Sequence, residues 1–234
     1  MNSKQMAQSD ELPSTQHPAP STNIYLLSPT SRPEVRHLPM IRFTLLPQTI
    51  DFSRYDGIIL TSKQGVIALD EVSGGAWKAL PVAAIGKQTA AEAEQRGGRV
   101  VYIATQAYGD VLAGELAKRY PDKRWLYARP KVVVSKIAAD LRDAGVSVEE
   151  AVIYETSCTD YEQKQRPEAG AVLIFTAPSI VRCFFGNFDW DESWRAVAIG
   201  NKTAQAFPEG VQPLIAPSTS IDEAIDFSRS LPHP

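Results

Sequence analysis

Short apolar runs alternate along this chain with stretches of helical spacing. The run from Asp56 to Leu60 is continuous, as expected of a strand covered on both faces. Thr61-Ser62 follows, and either residue can cap a helix. Val66, Ile67, Leu69 and Val72 then draw an apolar helical face that Gly74-Gly75 ends. The same order continues, with strands expected at 81–85, 99–103, 124–128 and 146–154 and helices at 89–95, 110–118 and 135–144 between them. A polar stretch at 155–166 leads to strands at 171–175, 196–199 and 211–216. Helices at 178–185 and 202–207 separate these, and a last helix is expected at 221–231. Two strands come earlier, at 23–28 and 41–46, parted by Pro29, Ser31 and Pro33. Strand alternating with short helix predicts an α/β protein with parallel sheets and right-handed crossovers.

The pattern contains an internal repeat. Ala84-Ile85-Gly86-Lys87-Gln88-Thr89-Ala90 and Ala198-Ile199-Gly200-Asn201-Lys202-Thr203-Ala204 share five of seven residues. Thr61 precedes Gly86 by 25 positions and Thr176 precedes Gly200 by 24, so the strand before each motif repeats too. The segment 124–154 then needs a partner in the other copy, and 23–46 fits that place. A discontinuous domain of 23–46 plus 159–234 is therefore expected, with a second domain, 47–158, inserted in it. Linkers at about 46–51 and 152–158 would join the two and leave a hinged cleft, a common place for a small ligand. Residues 1–22, rich in Ser, Gln and Pro, read as a disordered tail.

Composition narrows the function. The chain has 234 residues, 44% of them hydrophobic, enough for two real cores. With 24 Lys and Arg against 27 Asp and Glu, no broad positive field is available for nucleic acid. No stretch reaches the roughly 18 apolar residues of a membrane span. Cys158 and Cys183 form no CxxC pair, and with His17, His37 and His233 they build no zinc spacing. They read as reduced thiols in a cytoplasmic protein.

Each AIGxxTA motif is a strand end, a tight turn and a helix start. The unpaired N–H groups there carry partial positive charge and bind carboxylate or phosphate without a cationic side chain. Gly86 and Gly200 permit close backbone approach, and Thr89 and Thr203 stand in the first helical turn. The strand ends at Thr61-Ser62 and Thr176 supply a second such pair. In an open parallel sheet, ligands bind outside the carboxyl ends of the strands. The implied ligand is a polyanion large enough to touch both domains. No GxSxG elbow, Walker A motif or full GxGxxG fingerprint is present, and no paired carboxylates or Ser/His/Asp set stands out.

In order along one chain, these segments resemble the uroporphyrinogen-III synthase family over 23–231. The carriers are Ile24-Tyr25-Leu26-Leu27, Tyr55 to Ser62, Ala84-Ile85-Gly86 with Thr89, Gly145-Val146 with Val152 to Thr156, Ile174 to Ser179, and Ala198-Ile199-Gly200 with Thr203. The resemblance implies two flavodoxin-like α/β domains joined by a two-stranded linker. It implies cyclisation of hydroxymethylbilane, a linear tetrapyrrole with eight carboxylates, to uroporphyrinogen III. Water is lost and ring D is inverted through a spiro intermediate, with no cofactor and no metal. Tyr154 maps onto the family's proposed proton donor. Thr61, Ser62, Gly86, Thr89, Thr176, Pro178, Ser179, Gly200 and Thr203 map onto substrate-binding positions, and Lys63 and Arg129 are candidate carboxylate partners. Ala177 departs from the Ser common in the family, and Ser28-Pro29 stands where an Arg-Pro is common. A transient contact with hydroxymethylbilane synthase and a monomeric state are expected. The alternative is a non-catalytic hinged-cleft binder of a small polyanion, with no nucleic acid or membrane partner in either case.

Overall fold

The fold comes from a computed structural model that describes residues 21–133 and 135–232. In chain order it has β1 (Ser21–Leu26), β2 (Val35–His37), β3 (Ile41–Leu45), β4 (Gly57–Leu60), α1 (Lys63–Ser73), β5 (Pro81–Ala84), α2 (Lys87–Gln95), β6 (Arg99–Ile103) and α3 (Gly109–Arg119). There follow β7 (Trp125–Pro130), α4 (Ile137–Asp143), β8 (Val148–Cys158), β9 (Val172–Phe175), α5 (Pro178–Asn187), β10 (Arg195–Ala198), α6 (Asn201–Ala204), β11 (Leu214–Ile215) and α7 (Ile221–Ser230). They group into two units. One is Arg42–Ser157; the other takes the residues through Ile41 together with those from Cys158 on.

In the Arg42–Ser157 unit the sheet order is β3-β8-β7-β4-β5-β6. β4 lies inside the sheet, parallel to β5 and β7, and all four of its residues are buried, as its unbroken apolar run requires. Alternation divides the sheet into two faces. Ile58, Leu60, Leu126 and Ala128 pack with Val66 and Leu69 of α1 and Ala93 of α2. Ile59, Trp125 and Tyr127 pack on the other face with Leu112 and Leu116 of α3 and Ile137 and Leu141 of α4.

Trp77, fully buried, anchors the α1–α2 side. Its indole N–H donates to Asp70 at 2.8 Å, and Lys78 and Arg96 also pair with that carboxylate. Burial pushes the Asp70 carboxyl up, but these three donors outweigh it and hold it below the ordinary value. The ring leaves no room at Gly98, where a Cβ would lie 2.3 Å from it and 3.0 Å from the Ala93 carbonyl. Gly98→Ala is expected to cost about 2–3 kcal/mol, the upper range for overpacking, because the bound indole cannot swing away. Urea denaturation checks this; an unchanged midpoint would show that the ring yields.

The other unit has the order β11-β10-β9-β1-β2, with every neighbouring pair of strands parallel. With β9, β10 and β11 matched to β4, β5 and β6, and β1 and β2 to β7 and β8, the two sheets share one order over five strands; the strand expected at 41–46 in this unit is instead β3, beside β8 in the other sheet. Ile24, Leu26, Ile174 and Val197 pack with Ala224 and Ile225 of α7. Phe184 of α5 meets Phe175, Phe188 and Trp194 at ring-centroid distances of 5.3, 5.4 and 5.7 Å.

Several local expectations change. β2 was not anticipated, because three residues between Pro33 and Pro39 carry no periodic signal; pairing with β1 makes it a strand. β8 continues through polar residues to Cys158, and β11 is only two residues long. β1 begins at Ser21, and the remainder of the expected tail, 1–20, lies outside the described residues. The cysteines are not reduced thiols: Cys158 and Cys183 form a disulfide, with Cα atoms 5.3 Å apart. Strand β8 and helix α5 bring them together across 25 positions, which spacing alone did not reveal.

Candidate functional site

The chemistry gathers where β4 gives way to α1. Strand alternation turns Thr61 toward the face of Ile59 and Tyr127, and Ser62 toward the face of Leu60. Two phenols arrive there from opposite faces. The Tyr127 hydroxyl is 3.5 Å from Thr61 Oγ1, and the Tyr154 hydroxyl is 3.0 Å from Ser62 Oγ. Ser62 is extended, with φ −158° and ψ 155°, and caps α1 by accepting the Gly65 N–H at 2.9 Å. Gly65 allows this approach, since a Cβ there would stand 3.2 Å from Ser62 Oγ.

Tyr154 sits opposite Pro130 in the β7–β8 register, just past an irregularity, and is only 4% exposed. The Phe43 ring meets it edge-on at 6.1 Å. Burial raises the phenol above its ordinary pKa; the Ser62 hydrogen bond opposes this and the neighbouring Tyr127 adds to it. Tyr154 is thus protonated at neutral pH, the state a proton donor needs.

The other predicted residues divide by availability. Lys63 is exposed at the first position of α1 and, among the described residues, has no ion-pair partner. Arg129 is committed: its guanidinium pairs with Glu150 at 2.7 Å and reaches the Pro130 and Lys131 carbonyls. Burial pushes Glu150 up, but Arg142 and Arg129 outweigh it and hold it low. Gly86 is the N-cap of α2 and has no capping side chain, so the first-turn N–H groups have no side-chain cap. Thr89 is buried, so its side chain packs inward.

The second unit carries the repeated turns in a plainer form. Thr176 follows β9, Ala177 caps α5 without a side-chain hydrogen bond, Pro178 takes the first helical position and Ser179 the next. Proline suits that position because its missing N–H would be unpaired there anyway. Gly200 caps α6, a single turn, and Thr203 is buried. The structure therefore brings Thr61, Ser62, Lys63 and Tyr154 to the start of α1 in one unit, with Arg129 in β7 of that unit, and distributes the rest over other helix starts.

Sequence reasoning missed Tyr127 and Phe43. The alternation of Trp125 and Tyr127 against Leu126 and Ala128 was a readable signal for Tyr127; Phe43 carried none. Among the described residues, no group of three or more His, Cys, Asp or Glu side chains could hold a metal ion, and no helix is long and apolar enough to cross a membrane. The site can bind anions through helix-start N–H groups and can hold one protonated phenol.

A family model described as uroporphyrinogen-III synthase HemD matches residues 32–226. No curated protein sequence matches the chain. The crystal structure of uroporphyrinogen-III synthetase from Helicobacter pylori is similar in fold, with a TM-score of 0.74 and 24% identity over 90% of this chain and 99% of that one. A mutant uroporphyrinogen III synthase from the extremely thermophilic bacterium Thermus thermophilus aligns with a TM-score of 0.50 and 18% identity, over 82% of this chain and 87% of that one.

Proposed function

We propose a mechanism from one premise: this chain belongs to the uroporphyrinogen-III synthase family. Its reaction is the cyclisation of hydroxymethylbilane to uroporphyrinogen III, with loss of water and inversion of ring D, in haem biosynthesis. The non-catalytic binder is not favoured. The observation that carries the mechanism is the Tyr154 phenol, protonated and hydrogen-bonded at the end of β4.

Tyr154 gives its proton to the departing hydroxyl. The carbon–oxygen bond breaks with its electron pair on oxygen, water leaves, and an azafulvene cation remains. The phenolate regains a proton when the ring-closing carbon loses one, so the cycle balances. The N–H groups at the starts of α1 and α2, with Thr61 and Gly86 beside them, take substrate carboxylates, and Thr176, Pro178 and Ser179 at the start of α5 and Gly200 at the start of α6 are the corresponding positions of the other unit. Lys63, exposed and unpaired among the described residues, adds a cation. Thr89 and Thr203 support their turns from within, and Arg129 acts through the Glu150 pair that fixes its guanidinium. Most of the rate gain is positional: folding the bilane brings its reacting ends together and excludes unrearranged closure. No organic cofactor or metal enters the scheme.

The working form is a monomer that receives the bilane in transient contact with hydroxymethylbilane synthase. Its proposed compartment is the cytoplasm. Disulfides are rare there, so thiol trapping of Cys158 and Cys183 in intact cells tests that assignment. The function itself is tested by generating hydroxymethylbilane in situ, adding the protein, oxidising the products and separating isomers I and III. A shift to isomer III is expected; isomer I alone from folded protein would return the reading to a polyanion binder.

A further inference from the structure

We infer that Ser62 is a positioning residue for Tyr154: held by the first turn of α1, its hydroxyl donates to the phenol oxygen and leaves the phenolic hydrogen directed at the substrate. The inference rests on the proton-donor reading of Tyr154 and adds a group that reading does not require. A serine oxygen has two lone pairs and one hydrogen. The Gly65 N–H occupies one lone pair at 2.9 Å, and the Tyr154 oxygen lies 3.0 Å from the same atom. The hydroxyl is therefore engaged on two sides, within the protein rather than by substrate.

Its position is fixed from both directions. The extended backbone at Ser62 and the helical backbone at Gly65 set the cap, and Gly65 has no side chain to push the oxygen away. A hydroxyl that accepts from a helix-start N–H is polarised toward stronger donation, so Ser62 passes part of the positive end of α1 to the phenol. This matters once the proton has left. Burial then opposes a phenolate at Tyr154, and Tyr127 opposes it further, whereas Ser62 favours it. During the step the Tyr154 proton passes to the leaving hydroxyl while the Ser62 hydrogen stays on Ser62, as a hydrogen bond to the new phenolate.

Glycine and threonine separate this role from capping, because glycine caps nearly as well as serine but has no hydroxyl. Steady-state kinetics on bilane generated in situ, read as isomer III, should show Ser62→Gly lowering kcat about tenfold to a hundredfold, the effect of losing a hydrogen bond to a charged group. KM should stay within about twofold and the melting curve should hardly move. Ser62→Thr should restore most of kcat. In a Tyr154→Phe background, Ser62→Gly should cost little more. A Ser62→Gly enzyme with normal kcat would overturn the inference, as would an equal further loss in the Tyr154→Phe background or a loss confined to KM. If Tyr154→Phe itself keeps full kcat, the proton-donor reading fails instead, and the two failures are distinguishable.

Discussion

Tyr154→Phe is expected to lower kcat for isomer III roughly a hundredfold or more, within the 10²–10⁴ range of a positioned general acid. Phenylalanine keeps the ring that packs against Phe43 and the α1 side of the sheet, so the fold stands and the change reports on the hydroxyl. KM should change little, since helix-start N–H groups hold the substrate carboxylates. The pH dependence supplies a second reading. The active form is protonated, and burial raises the phenol above its ordinary value near 10. Wild-type kcat should therefore be level with respect to this group through neutral pH. It should fall only as pH rises through the elevated pKa, a limb that Tyr154→Phe lacks. Stability follows the same sign: the contribution of the raised pKa is complete below the unfolded phenol's value and is lost as pH rises through the folded one. Single-turnover measurement of the isomer ratio decides the matter, and a kcat within about twofold of wild type would remove Tyr154 from the reaction.

Reducing the Cys158–Cys183 disulfide is expected to cost about 3.5 kcal/mol, the chain-entropy value for a loop closed across 25 positions. The loss lies mainly in the unfolded state, which regains freedom when the loop opens. The folded state keeps other ties between the same segments. Asn187 donates to the Thr159 and Cys183 carbonyls at 2.9 and 2.8 Å and accepts the Tyr161 N–H at 2.7 Å. Reduction should therefore move the urea midpoint with little change in near-ultraviolet dichroism. Cys158→Ser should reproduce the shift without reductant, and Cys158 is the better choice because it is exposed whereas Cys183 is buried. Equal midpoints in oxidised and reduced protein would show that the cross-link adds no stability.

The helix starts of the candidate site are legible in the sequence. The caps at Ser62 and Gly86 follow from strand ends meeting helix starts, and cap chemistry is local to a few residues. Ala177 is the instructive departure: without a hydroxyl it leaves α5 uncapped by any side chain, and Pro178 alone marks the start. The burial of Thr89 and Thr203 was not legible, because first-turn position says nothing about which way a side chain faces the sheet. Nor was the commitment of Arg129, whose partner Glu150 lies on the neighbouring strand.

By itself, the sequence determined the α/β class, the repeated succession of strands and helices and the helix starts, because apolar periodicity and capping act over one or two turns of chain. Tertiary structure alone decided that Tyr154 meets Ser62 across 92 positions, that Trp77 fills the space over Gly98, that Val35–His37 is a strand and that Cys158 joins Cys183. Each of these pairings depends on strand register and on how helices pack over the sheet. Those are set by the closure of the whole core, which leaves no periodic mark on either partner's local sequence.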